Sequence, residues 1–200
     1  HVSGVFSFKI VCYFGSGKKL ESNLIKTTIY PGAVSPDDYD MTTLLLGGIY
    51  FEDYGTDLHR YTCTAKGGAQ EFVKPLDSGF QVIGVGSGDV EILDHVTGLT
   101  STHHFKVKNN LIATILKSVL LKEGKITSLA VDLPQSLLAE VTEVKIDGDL
   151  AKDPSMVRAF SVVPNLTVLS LVRCNLTDLS FIKSLTSLSE LDVSYNALTS

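Results

Sequence analysis

Cysteine is scarce in this chain. Three residues in 200 are too few for the disulfide framework that holds small stapled domains together. Cys12 and Cys63 are a candidate pair, with two free buried thiols as the alternative. Positive charge is not in excess either: 17 Lys+Arg face 22 Asp+Glu, a formal net charge of −5. The basic residues are scattered, and Lys18-Lys19 is too short to be a patch. Nucleic acid and anionic membranes are therefore poor partners. Long apolar runs are missing as well. The stretches 44–51 and 111–121 are short or interrupted by Gly and Lys, so no transmembrane segment is read. His1 is not followed by a charged segment and an apolar run, so no signal peptide is read there.

What remains is ordinary globular composition, 44% hydrophobic and 20% charged, in a length that fits one large or two small domains. Residues 5–14, 26–30, 48–51, 60–65, 79–85, 90–93 and 103–107 are rich in β-branched and aromatic residues. Gly, Asp and Ser clusters separate them, as expected of strands in a small sandwich- or barrel-like domain. Ser35-Pro36-Asp37-Asp38 offers a cap, a first-turn proline and acidic residues for a helix ending at Gly47-Gly48. The run Leu44-Leu45-Leu46 fits a strand equally well. Residues 111–121 carry apolar side chains at helical spacing (Leu111, Ile112, Ile115, Leu116, Val119).

After residue 125 one apolar pattern recurs: Ile126-x-x-Leu129-x-Val131, Val141-x-x-Val144-x-Ile146, Leu166-x-x-Leu169-x-Leu171 and Leu188-x-x-Leu191-x-Val193. The last two copies are 22 residues apart at every position, including Cys174 against Asn196 and Leu176 against Leu198. Leu169 and Leu171 alternate on a short strand and both point inward. Cys174 and Asn196 fall where the chain leaves the strand, placed to bond backbone groups that the turn leaves unpaired. Leu176, Leu179, Ile182 and Leu185 fill the return path. The earlier steps, 25 and 15 residues, are irregular, and Asp153-Pro154-Ser155 in the longer one marks the start of a short helix over 156–160.

The pattern L-x-x-L-x-L-x-x-(N/C)-x-L resembles the leucine-rich repeat, clearly over 166–200 and loosely over 126–165, in the short 22-residue form of internalin-like bacterial surface proteins. No family resemblance is read in residues 1–108. The expected architecture is mostly β or α+β. It comprises a β-rich domain over 1–108, a transition helix over 109–125, and a leucine-rich repeat solenoid over 126–200 with irregular entry coils. The resemblance implies a non-catalytic, secreted or cell-surface module that binds a protein. Its concave face would carry Val168, Ser170, Val172, Arg173, Glu190, Asp192, Ser194 and Tyr195. Ser200 falls inside the second regular unit, so further repeats or an oligomer contact are expected beyond it.

Other constellations are weaker. Gly15-Ser16-Gly17-Lys18 lacks the spacing of a phosphate loop and reads as a hairpin turn. Gly84-x-Gly86-x-Gly88-Asp89 lacks the second half of a dinucleotide fingerprint and reads as a β-turn. Asp94, His95, His103 and His104 have some metal-ligand character, but adjacent histidines on a strand face opposite ways. No cofactor, metal site or catalytic residue is assigned. An alternative function is carbohydrate or small-ligand binding by the β-domain, in a pocket rimmed by Tyr50, Tyr54, His59 and Tyr61.

Overall fold

A computed structural model describes residues 4–8, 11–13, 19–21, 25–29, 40–50, 61–77, 79–95, 98–148, 150 and 153–199. The strand expected over 5–14 is two strands. β1 (Gly4–Phe8) pairs antiparallel with β4 (Ile25–Ile29), and β2 (Val11–Tyr13) with β3 (Lys19–Glu21). The two ladders are offset by one residue, since Phe8 faces Ile25 while Val11 faces Glu21. The proposed turn at Gly15-Ser16-Gly17-Lys18 lies outside the described residues.

The helix expected to end at Gly47-Gly48 is not present in its described part. Leu44–Leu45 is strand β5, parallel to Val107 and Lys108. The reason is periodicity: Leu44 is 1% exposed, Leu45 48% and Leu46 4%, an alternation of two rather than 3.6. Gly47 then turns the chain at φ +80. Its missing Cβ leaves room for Ala159, whose Cα would lie only 2.9 Å from it.

Strands β7 (Tyr61–Lys66), β10 (Ser87–Asp94) and β11 (Thr100–Lys108) join β5 in a sheet of order β5-β11-β10-β7. β6 (Ile49–Tyr50), β8 (Val73–Pro75) and β9 (Phe80–Val82) form a second, antiparallel sheet of order β6-β9-β8. The glycine run 84–88 is not simply a turn. A Cβ on Gly84 would come within 2.6 Å of the Glu71 carbonyl, and one on Gly86 within 2.5 Å of the Phe72 ring. The missing side chains let this segment press on Phe72 while Val85 pairs with Leu133 through two backbone hydrogen bonds, 2.8 and 2.7 Å.

Helix α1 (Leu111–Lys122) is capped by Asn110, whose Oδ1 accepts from the Ala113 N–H at 2.9 Å. It buries Ile112, Ala113, Leu116 and Leu120. The first loose repeat copy is not a strand. Ile126 is buried, but Leu129 is exposed, and the segment leads to the Val85–Leu133 bridge. A step of 15 residues is too short to hold both a strand and its return path. Helix α2 (Gln135–Leu138) follows. Strands β12 (Glu143–Asp147), β13 (Val168–Val172) and β14 (Glu190–Asp192) then lie side by side, all parallel. The returns run through 3-10 segments, Pro154–Val162 and Ser180–Ser184.

One buried cluster runs from Met41 to Leu185 and includes α1, the sheets β5-β11-β10-β7 and β6-β9-β8, and the coil interiors. Among the described residues no helix is long and apolar enough to cross a membrane. Cys63 is a free, buried thiol, so the Cys12–Cys63 pairing does not form. Burial pushes its pKa up from 9.0 to about 12. Because the folded state holds this proton more tightly, its contribution to stability is complete below about pH 9 and is lost as pH rises through 12. In native protein at pH 8, Cys63 should react with a thiol reagent far more slowly than in urea-unfolded protein. Equal rates in the two states would refute its burial.

Candidate functional site

The parallel sheet β12-β13-β14 decides where functional side chains lie. Alternate residues Val144, Ile146, Leu169 and Leu171 are buried, so the residues between them point outward. Register sets them in rows: Glu143 beside Val168 beside Glu190, then Lys145 beside Ser170 beside Asp192, then Asp147 beside Val172. Val168, Ser170 and Val172 are half-buried, whereas Arg173, Glu190, Asp192, Ser194 and Tyr195 are exposed, Tyr195 to 82%. The structure sets Val168, Ser170, Val172, Glu190 and Asp192 in these rows, ties Arg173 to Asp147 and Ser194 to Asp192, and leaves Tyr195 exposed on the turn that follows. It adds Glu143, Lys145 and Asp147, which the irregular 25-residue step had hidden.

Charge on this face is organised across coils. Arg173 Nε donates to Asp147 Oδ1 at 2.8 Å, and its Nη2 meets the other carboxylate oxygen. This is a bidentate pair linking two coils, though its exposure keeps its contribution small. Lys145 is paired with Glu143, and that hydrogen bond and charge raise its pKa, with Glu190 adding a smaller effect. The Ser194 hydroxyl and N–H both donate to Asp192 and lower its pKa.

Leaving the strand requires a left-handed residue in each coil. Gly148, Arg173 and Tyr195 have φ +77, +54 and +58, and the Gly148 and Arg173 N–H groups donate to Val172 and Ser194 carbonyls of the next coil. Only the first is glycine, so the sequence gives no conformational signal at the other two. The next position is the Asn/Cys site. Asn196 Nδ2 donates to the carbonyls of Leu171 (2.6 Å), Val193 (2.8 Å) and Ser194 (3.3 Å), and its Oδ1 accepts from the Leu176 N–H (3.0 Å). Cys174, fully buried, donates through Sγ to the Val172 carbonyl at 3.3 Å. It is a scaffold residue with a weaker donor.

A hydroxyl row was not anticipated from sequence. The Thr142 carbonyl accepts from both the N–H and hydroxyl of Thr167, and the Thr167 carbonyl accepts from the same two groups of Ser189. The signal was available, since Thr167 and Ser189 are also 22 residues apart. Phe181 was also missed. It is buried in the return path, while Ile182 is only half-buried.

The other candidate groups do not converge. His95 bonds to Thr62, His103 to Ser101 and His104 to Asp89, each at 2.7 or 2.8 Å. No group of three potential metal ligands is found among the described residues. Tyr61 is buried at 1% exposure, so it cannot rim a ligand pocket. Tyr50 stacks on Phe80 and accepts from the Leu45 N–H, and it lines a cleft of about 460 Å³ with Leu45, Ile49, Asn110, Met156 and Arg158. Tyr54 and His59 lie outside the described residues.

No curated protein and no solved structure matches the chain. A family model described as Leucine Rich repeats (2 copies) matches residues 164–200. That span holds the two units of 22-residue register, the buried Leu169 and Leu171, and the Asn196 ladder, so residues 164–200 are a leucine-rich repeat segment.

Proposed function

We propose that this chain is a non-catalytic module that recognises a protein through the outward face of its parallel sheet. Leucine-rich repeats generally serve protein interaction, and stacked coils give extended surfaces whose side chains vary without disturbing the buried positions. The observation that carries the reading is the alignment of exposed, chemically mixed side chains in register across β12, β13 and β14, ending in the protruding Tyr195. Tyr and Arg beside half-buried Val168 and Val172 are a composition that protein interfaces favour. In this reading the coils form a short solenoid, the β-region over 1–108 is a module packed on it through a common core with 109–125 between them, and the protein acts outside the cell or at its surface.

The test replaces Glu190→Ala, Asp192→Asn and Tyr195→Gly together. Asparagine keeps an acceptor for the Ser194 N–H, and glycine suits φ +58, so the coil should stay folded. Partner capture should fall at least about tenfold. Unchanged capture would sink the proposal.

A second reading rests on the cleft lined by Tyr50, whose volume of about 460 Å³ falls within the range of small-ligand sites. Carbohydrate binding there predicts hits on a glycan array that are lost in Asn110→Ala. An array without hits would remove it.

A further inference from the structure

Lys117 is the only charged residue among those described that is buried, at 4% exposure. It lies on α1, and among the described residues it has no hydrogen bond or ion pair; Asp132 nearby gives only partial compensation. Burying an ammonium without a fixed partner is costly, so buried lysines are rare unless paired or solvated. Lys117 does not end in the apolar core. It lines a cleft of about 300 Å³ that also includes Lys106, Lys108, Asn109, Ser87, Thr42 and Asp132.

Three lysines therefore meet one aspartate in a protein whose net charge is −5. The geometry has simple causes. Lys106 and Lys108 are two apart on β11 and so share a face, and the Val85–Leu133 bridge draws Asp132 and the turn before it across the cleft mouth. The other acidic group nearby, Asp40, feels the charge of Lys108 but is held by the N–H and hydroxyl of Thr42. Hydroxyl and amide donors complete the lining. Burial lowers the Lys117 pKa, opposed by the charge of Asp132.

We propose that this cleft binds a small, multiply charged oxyanion, the phosphate or carboxylate groups of a small ligand, with Lys117 as its buried anchor and Lys106 and Lys108 as flanking charges. The volume admits a compact anionic group and no macromolecule. The buried stem of Lys117 fixes its position at the cleft, whereas Lys106 and Lys108 are exposed, which makes Lys117 the pre-organised contact.

The experiment titrates the full chain with pyrophosphate and, separately, citrate at constant ionic strength, following amide resonances by NMR. Saturable shifts at Ser87, 106–109 and Lys117 are expected below about 10 mM. Binding by one anion identifies the head-group chemistry, and binding by both identifies charge as the criterion. Lys117→Met should weaken binding about tenfold or more, with a melting temperature close to the parent, because methionine keeps the buried apolar stem while removing the charge. Lys106→Gln with Lys108→Gln, at exposed positions, should weaken it severalfold without touching the core. Absence of saturable shifts with both anions would overturn the proposal, as would parent-like binding by Lys117→Met.

Discussion

Phe160→Ala is expected to destabilise the protein by about 3–5 kcal/mol, the largest loss among the substitutions considered. Phe160 is fully buried in the 3-10 segment Pro154–Val162, which carries the first coil back past α1. Its ring belongs to the cluster that joins the β-region, α1 and the coils, so the cavity left by alanine has rigid walls on several sides. For a domain of this length each kcal/mol shifts the melting temperature by about 2–4 °C, so a drop of about 10 °C is expected by calorimetry. Phe181→Ala is the internal control. It occupies a comparable place one coil later, retains 8% exposure, and should cost less. A loss below about 1 kcal/mol at Phe160 would show that the shared core is not closed in solution.

Asn196→Asp should have the second largest effect, about 2–3 kcal/mol at neutral pH, concentrated in the last coil. The substitution preserves shape and keeps an acceptor for the Leu176 N–H. It removes the amide that donates to three carbonyls and sets a carboxylate oxygen against them. Such a carboxylate has its pKa raised in the folded state. The penalty is therefore full at neutral pH and shrinks as acid protonates the group and restores one donor. Parent Asp178 and Asp192 behave oppositely: hydrogen bonds from Ser180 and Ser194 lower their pKa values, so their stabilisation is lost in acid. The gap between variant and parent should thus narrow as pH falls from 7 towards 4. A gap independent of pH would mean that the side chain does not face those carbonyls. Hydrogen exchange at Leu176 and in β14 locates the effect.

Much of this was legible in the residues because the repeat is periodic. Leu169, Leu171 and Cys174 are buried as the 22-residue register requires, and Val168 and Ser170 lie beside Glu190 and Asp192 as that register places them. α1 was legible for a similar reason, since Ile112, Ile115, Leu116 and Val119 recur at helical spacing, and Ile112 and Leu116 are buried. The failures also have physical causes. Three consecutive leucines, 44–46, fit two periods equally, and pairing with β11 chose the strand. The 126–131 copy has the right apolar spacing but lacks the chain length for a coil, and Leu133 pairs instead with Val85, 48 residues earlier. Glu143, Lys145 and Asp147 were missed because register across a 25-residue step emerges only from strand pairing. Lys106, Lys108 and Lys117 looked scattered because only the folded chain gathers them around one cleft.

The continuity of the core gives the molecule a direction. Equivalent inward positions change in exposure along the stack: Val144 and Leu169 are sealed, while Leu191 is 39% open. The β-region, α1 and the coils share one continuous buried cluster, so each strand of the parallel sheet is stabilised by the neighbour it packs on. Tyr195, the most exposed residue of the proposed recognition face, sits on the turn that follows the strand carrying this most open inward position.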